Sequence, residues 1–184
     1  MRTLIRWAGD RPEREGLLQT PARVVRAYEE WFSGYGAQPR AILNRTFGEV
    51  GGYSEAVILR DIGVDSVCEH HMAAIRGVAH IGYLPQGRVV GISKLARVVE
   101  AFARRLQVQE RLTREIADFL CQALNPLGAG VVVEGLHMCS MMRGVKKHDA
   151  RMTTSTMVGS FRSNPSTRQE FLDSISRGAQ PLHF

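Results

Sequence analysis

Two amphipathic helical segments set between blocks of extended chain limit most strongly how these 184 residues can fold. Extended, β-branched runs cover residues 56–64, 77–84 and 89–92, with Pro85-Gln86-Gly87 as the turn between the last two. Ser93 then offers a hydroxyl N-cap, and Leu95, Val98, Val99, Phe102 and Leu106 fall on one helical face. Leu112, Ile116, Phe119, Leu120 and Ala123 mark a second helix that stops before Asn125-Pro126. Two further extended runs follow, 130–138 and 152–161. Helices flank this block. A short one covers residues 4–8, and Thr20-Pro21 opens a longer one carrying Val24, Tyr28, Trp31 and Phe32 up to Gly34. Asn164-Pro165-Ser166, with Gln169 three residues after Ser166, opens the last, through Phe171, Leu172 and Ile175. Runs segregated in this way predict an α+β fold on an antiparallel four-stranded sheet rather than a doubly wound one. Such a sheet has two edges, and pairing them with neighbouring subunits predicts a homo-oligomer.

Residues 1–184 are expected to form a single domain, with residues 1–50 as an N-terminal helical region and 51–184 as the catalytic region. Hydrophobic residues at 44% and charged ones at 23% are ordinary for a globular chain. No segment approaches the ~18 apolar residues of a membrane span. Residues 1–9 alternate Arg with apolar side chains and carry no signal-peptide pattern, so a cytoplasmic protein is expected. The net charge of +6 points to an anionic partner. Without aromatic–basic interleaving, nucleic acid is not expected, nor is a membrane; a phosphate-rich small molecule fits better. Three cysteines, Cys68, Cys121 and Cys139, are too few and too odd for a disulfide framework.

Two of those cysteines lie beside histidines. Cys68-Glu69-His70-His71 presents a thiolate and an imidazole within one turn, and His137-Met138-Cys139 follows at the end of an expected strand. There, alternation would aim His137 and Cys139 into one pocket. Thiolates and imidazole suit zinc better than magnesium or calcium. Spacing permits four ligands, which would close the site, or three with two histidines left for proton transfer. Cys121, inside an amphipathic helix with no histidine nearby, reads as core.

Basic residues gather at helix starts, where free N–H groups and the dipole favour an anion. Lys94 and Arg97 follow Ser93, Arg23 and Arg26 follow Thr20-Pro21, and Arg143 lies just beyond Cys139. Lys94, Arg97 and Arg143 are read as phosphate contacts, and Arg104-Arg105 as solvated charge.

Cys68-Glu69-His70-His71, the 91–97 run Gly-Ile-Ser-Lys-Leu-Ala-Arg, the 107–113 run Gln-Val-Gln-Glu-Arg-Leu-Thr, His137-Met138-Cys139 and Met142-Arg143-Gly144-Val145 occur in this order. Together they resemble GTP cyclohydrolase I from about Thr20 to Leu172. The resemblance implies a tunnelling fold (T-fold), in which sheets from several subunits close into a barrel and two pentamers stack into a decamer. It implies zinc-dependent conversion of GTP and water into formate and 7,8-dihydroneopterin triphosphate, the first step of tetrahydrofolate and pterin biosynthesis. Carried over residue by residue, Cys68, His71 and Cys139 become the zinc ligands, and His70 and His137 the proton carriers for attack on C8 of guanine. Gln109 and Glu110 become contacts of the base, and Glu110 accepts from its N–H edge. Ser93, Lys94, Arg97 and Arg143 meet the triphosphate, with Arg23 and Arg26 supplied by a neighbouring subunit. Ser93 also assists the sugar rearrangement in this reading. Ala74 departs from the pattern, which often has a proline there.

Overall fold

The computed structural model describes residues 1–44, 46–48 and 52–176. The expected boundary at residues 50 and 51 and the end of the expected domain, 177–184, lie outside the described residues. In chain order come α1 (Arg2–Trp7), α2 (Thr20–Trp31), α3 (Pro39–Ile42), β1 (Thr46–Phe47), β2 (Val57–Cys68), β3 (Ala74–Leu84), β4 (Val89–Val90) and α4 (Ile92–Ala103). Then follow β5 (Leu106–Gln107), α5 (Gln109–Leu124), β6 (Gly128–His137), α6 (Met138–Met141), β7 (Met152–Gly159), α7 (Ser160–Ser163) and α8 (Pro165–Ser176). The α+β expectation holds.

The sheet is mixed and five-stranded, in the order β5-β2-β3-β6-β7, instead of four-stranded and antiparallel. Its four long strands are antiparallel neighbours, while β5 adds a short parallel pair, Val67 to Leu106 and Cys68 to Gln107. Leu106 had read as the last residue on a helical face, but α4 ends at Ala103 and the Leu106 N–H donates to the Tyr35 hydroxyl at 3.1 Å. Covering the end of β2 wins over continuing the helix. The 89–92 run is also corrected: only Val89–Val90 is strand, and it pairs with Thr46–Phe47 outside the main sheet.

Helix starts differ from expectation in their caps. Gly91, not Ser93, is the N-cap of α4, and Thr20 is the first residue of α2 rather than its cap. At α8 the Asn164 side chain accepts from the Ser166 and Thr167 N–H groups, and Gln169 bonds Asp173 instead of closing a capping box.

α4 and α5 cover one face of the sheet, where Leu95, Val98, Val99, Leu112, Ile116 and Leu120 meet Val64, Ile81, Val131 and Val133. Each fully buried Leu or Ile here contributes about 1.5–3 kcal/mol. The opposite face is covered by Phe161 and Phe171 of α7 and α8 over Val132. Those rings sit on Gly82 and Gly130, where a Cβ would stand 2.8 Å and 2.7 Å from them. In β2 the register slips between Leu59 and Ile62, and Asp61 adopts φ 58°. Buried His80 steadies this bulge: its Nδ1 accepts the Asp61 N–H at 3.1 Å. Among the described residues no helix is long and apolar enough to cross a membrane.

Candidate functional site

The candidate site grows from the ends of two strands separated by β3. β2 ends at Cys68, and the chain turns at once through Glu69, His70 and His71. The turn is closed by Met72 N–H to Cys68 O and Cys68 N–H to Ala73 O, both 2.8 Å, with Met72 in the left-handed region at φ 50°. Ala74, which stands where the family pattern often has a proline, opens β3 opposite Val67. A first strand residue is a place that tolerates proline, so either residue suits it. From α5, Arg111 braces the turn by donating to the Glu69 carboxylate, to Gln107 Oε1 at 3.0 Å and to Leu106 O at 2.8 Å. The guanidinium holds the Glu69 carboxyl below its ordinary value.

β6 ends at His137, opposite Ile75 of β3. Cys139 lies in the following helical turn, α6, so strand alternation is not what brings it to the site. The reversal after β6 does so instead. One ligand atom each from Cys68, His71 and Cys139 lies within 4.8 Å of the other two, an arrangement that could hold a metal ion. Cys68 is buried and Cys139 half-buried. Burial first, and the neighbouring Cys68 sulfur second, push the Cys139 thiol above its ordinary value; a bound cation reverses that preference. His70 Nδ1 also lies 3.8 Å from Cys68 Sγ, yet His70 is not part of the converging trio, and neither is His137.

His137 is held from the other side. Gln109, 1% exposed, donates its amide to Val133 O at 3.0 Å, Met152 O at 2.8 Å and Thr154 Oγ1 at 3.1 Å. That orientation leaves Gln109 Oε1 to accept from His137 Nε2 at 2.9 Å, so Nε2 carries the proton and Nδ1 the basic lone pair. The contact needs Gly135, because a Cβ there would collide with Gln109 Oε1. Burial lowers the pKa of His137, and the nearby Glu110 carboxylate pulls it the other way. Glu110 itself is exposed in the first turn of α5.

The basic residues fare differently. Arg143 donates to His71 Nε2 at 2.9 Å and so joins the trio. Ser93 and Arg97 are exposed on α4, and Arg97 borders a groove with Gly63, Asp65 and Glu100. Arg23 and Arg26 are exposed on α2. Among the described residues no hydrogen bond connects Ser93, Lys94, Arg97, Arg23 or Arg26 with Cys68, His71 or Cys139. A groove of about 530 Å³ lined by Trp31, Asp65, Met72 and Arg76 holds none of the candidate site residues.

Comparison with known sequences decides the family, since a model of GTP cyclohydrolase I matches residues 1–176. The chain belongs to the GTP cyclohydrolase I family. It is 52% identical to GTP cyclohydrolase 1 of Maricaulis maris over 96% of this chain and 86% of the relative. It is 51% identical to GTP cyclohydrolase 1 of Allorhizobium ampelinum over 95% and 87%. A solved structure of an archaeosine synthase QueF-Like protein in its apo form matches at TM-score 0.48 and 19% identity, covering 58% of this chain and 96% of that one. The family resemblance and the expectation of an enzyme are thus borne out.

Sequence reading of this GTP cyclohydrolase I chain missed the bracing residues. Glu69 and Arg111 lie within two of the quoted runs but were given no role there, although Arg111 follows Gln107 by four residues and bonds it. Gln109 had been read as a contact of the base. Its side chain is enclosed and holds His137, a role for which a polar residue beside the apolar Leu112 and Ile116 face was the available signal.

Proposed function

We propose that the chain hydrolyses and rearranges GTP to 7,8-dihydroneopterin triphosphate and formate, using zinc held by Cys68, His71 and Cys139. The observation that carries this reading is the convergence of those three donors in a chain of the GTP cyclohydrolase I family. Two sulfurs and an imidazole fit zinc rather than an oxygen-seeking cation, and three protein ligands match a catalytic site more than a closed structural one. Bound there, zinc supplies a Lewis acid able to bring the pKa of water toward ~7.

The chain's own residues do the rest. His137 takes up protons at Nδ1 while Gln109 holds its Nε2–H, and exposed His70 exchanges protons with solvent. These transfers accompany attack on C8 of guanine, opening of the imidazole ring, release of formate and closure of the rearranged sugar onto the freed amine. The Glu110 carboxylate accepts the N–H edge of the base, and its neighbour Gln109 contributes backbone groups. Ser93, Lys94, Arg97 and Arg143 bind the triphosphate, with Arg23 and Arg26 reaching in from a neighbouring subunit, and Ser93 assists the sugar step.

The proposal extends to assembly. Sheets from several copies close a tunnelling-fold barrel, and two pentamers form a decamer. The exposed apolar side chains of Trp7, Ile92, Met142 and Val145, together with exposed Arg23, Arg26 and Arg97, support an enzyme completed by its neighbours. The reaction is placed in the cytoplasm, as the first step of tetrahydrofolate and pterin biosynthesis, with neither nucleic acid nor membrane as partner.

Incubating zinc-replete protein with GTP should release formate together with a fluorescent pterin after oxidation. Neither product from metal-loaded protein would leave a zinc-stabilised, nucleotide-binding oligomer as the better reading.

A further inference from the structure

Two threonines join α5 to β7 beside the Gln109 side chain. Thr113 Oγ1 and Thr154 Oγ1 lie 2.6 Å apart, although the residues are 41 positions apart in the chain. Thr113, like Gln109, is 1% exposed, and Thr154 is half-buried. The direction of each hydrogen bond follows from what its partner can do. Val133 O and Met152 O only accept, so Gln109 turns its amide nitrogen toward them and, at 3.1 Å, toward Thr154 Oγ1. Gln109 O also only accepts, and it takes the Thr113 hydroxyl hydrogen at 2.7 Å. A hydroxyl has one hydrogen, so in the contact between the threonines Thr154 donates and Thr113 accepts. The bonds thus run in a ring, from the Gln109 amide to Thr154, on to Thr113 and back to the Gln109 carbonyl.

The two backbone carbonyls decide which end of the amide is nitrogen. The ring adds a second constraint. It ties the side chain to the first turn of its own helix and that turn to β7, so that Oε1 stays 2.9 Å from His137 Nε2. Buried polar networks of this kind, with every member satisfied, are stiff. We propose that Thr154 is a positioning residue for turnover, which acts with Thr113 through the Gln109 amide to keep the His137 ring in its working orientation. The inference rests on the proposed role of His137 and extends the site to a hydroxyl on β7.

Steady-state kinetics of the zinc-replete protein, with zinc content measured alongside, test it. Thr154→Val keeps the shape of the side chain and removes the hydroxyl. Its kcat should fall roughly tenfold, the low end of what such supporting partners contribute, with KM for GTP and zinc content unchanged. Thr154→Ser, which returns the hydroxyl, should restore kcat. Adding Thr154→Val to Gln109→Ala should lower kcat no further than Gln109→Ala alone, because the two act along one path. Ser155→Ala, at the exposed next position, should leave kcat as it is. An unchanged kcat in Thr154→Val overturns the inference, as does a loss that appears in KM or zinc content instead. So do failure of serine to rescue, an undiminished effect in the Gln109→Ala background and an equal loss in Ser155→Ala. A Thr154→Val chain without a cooperative denaturant transition makes the hydroxyl a structural one and overturns it too. An enzyme that forms the pterin but gives any of these results keeps its proposed function and loses this role for Thr154. An unaltered chain that forms no pterin loses both.

Discussion

At the end of the sheet, Cys68, His71, Cys139 and His137 are tied to neighbours of their own chain, whereas Arg23, Arg26 and Arg97 project from helix surfaces. The first region is made by backbone pairing. β3 links the strands that end at Cys68 and His137, and the turn after Cys68 is braced by Arg111. The second is made by helix starts, where placing a positive charge costs little in water. A metal centre must be preorganised because its ligands are few and short. Phosphate contacts are long, charged side chains that a bound anion or a neighbouring subunit can gather.

That contrast can be broken at several strengths. Cys139→Ala has the largest expected effect: one of three donors is lost, so zinc content by elemental analysis should collapse and turnover with it. His137→Ala should keep its zinc while kcat falls roughly 10²- to 10⁴-fold, the usual worth of a positioned acid–base group. Loss of zinc as well would place His137 among the ligands and restore a four-ligand shell. Gly135→Ala pushes on Gln109 and through it on His137. A kcat about 10- to 100-fold lower, with little change in KM, is expected. Arg97→Ala, in the other region, should leave zinc content untouched and raise KM for GTP roughly tenfold, as loss of a charged hydrogen bond would. A fall in zinc content there would erase the distinction between the regions.

The smallest effect lies away from both. Burial lowers the pKa of His80, against the opposing pull of Asp61 and Glu134 and with the help of Arg60. With the folded value below the unfolded one, the stabilisation is complete above the unfolded pKa of about 6.5 and declines as pH falls through the folded value. Denaturant midpoints should therefore drop modestly between about pH 7.5 and about pH 5.5. His80→Gln, which keeps an acceptor for the Asp61 amide, should lose most of that pH dependence.

Local pattern made much of the architecture legible. The apolar faces of α4 and α5 are buried at Leu95, Val98, Val99, Leu112, Ile116 and Leu120, as their periodicity predicted. The long strands fell where β-branched residues cluster, though their ends did not. Leu106 kept a helical interval after the helix had stopped, since spacing cannot show that the end of β2 needs a partner. Likewise, Cys139 was expected on a strand but occupies the turn beyond it. Its place depends on where pairing with β3 runs out at His137.

By itself the sequence determined which atoms are available for chemistry: two thiols, three neighbouring imidazoles and a set of basic helix starts. It left open whether three or four of them would meet, because spacing along a chain does not measure distance across a sheet. Tertiary structure decided that Cys68, His71 and Cys139 converge, and that the Gln109 amide turns inward to orient His137. It also decided that Arg143 rests on a nitrogen of His71. These are outcomes of strand order and of hydrogen bonds that close only once the sheet has formed, between residues remote in the chain.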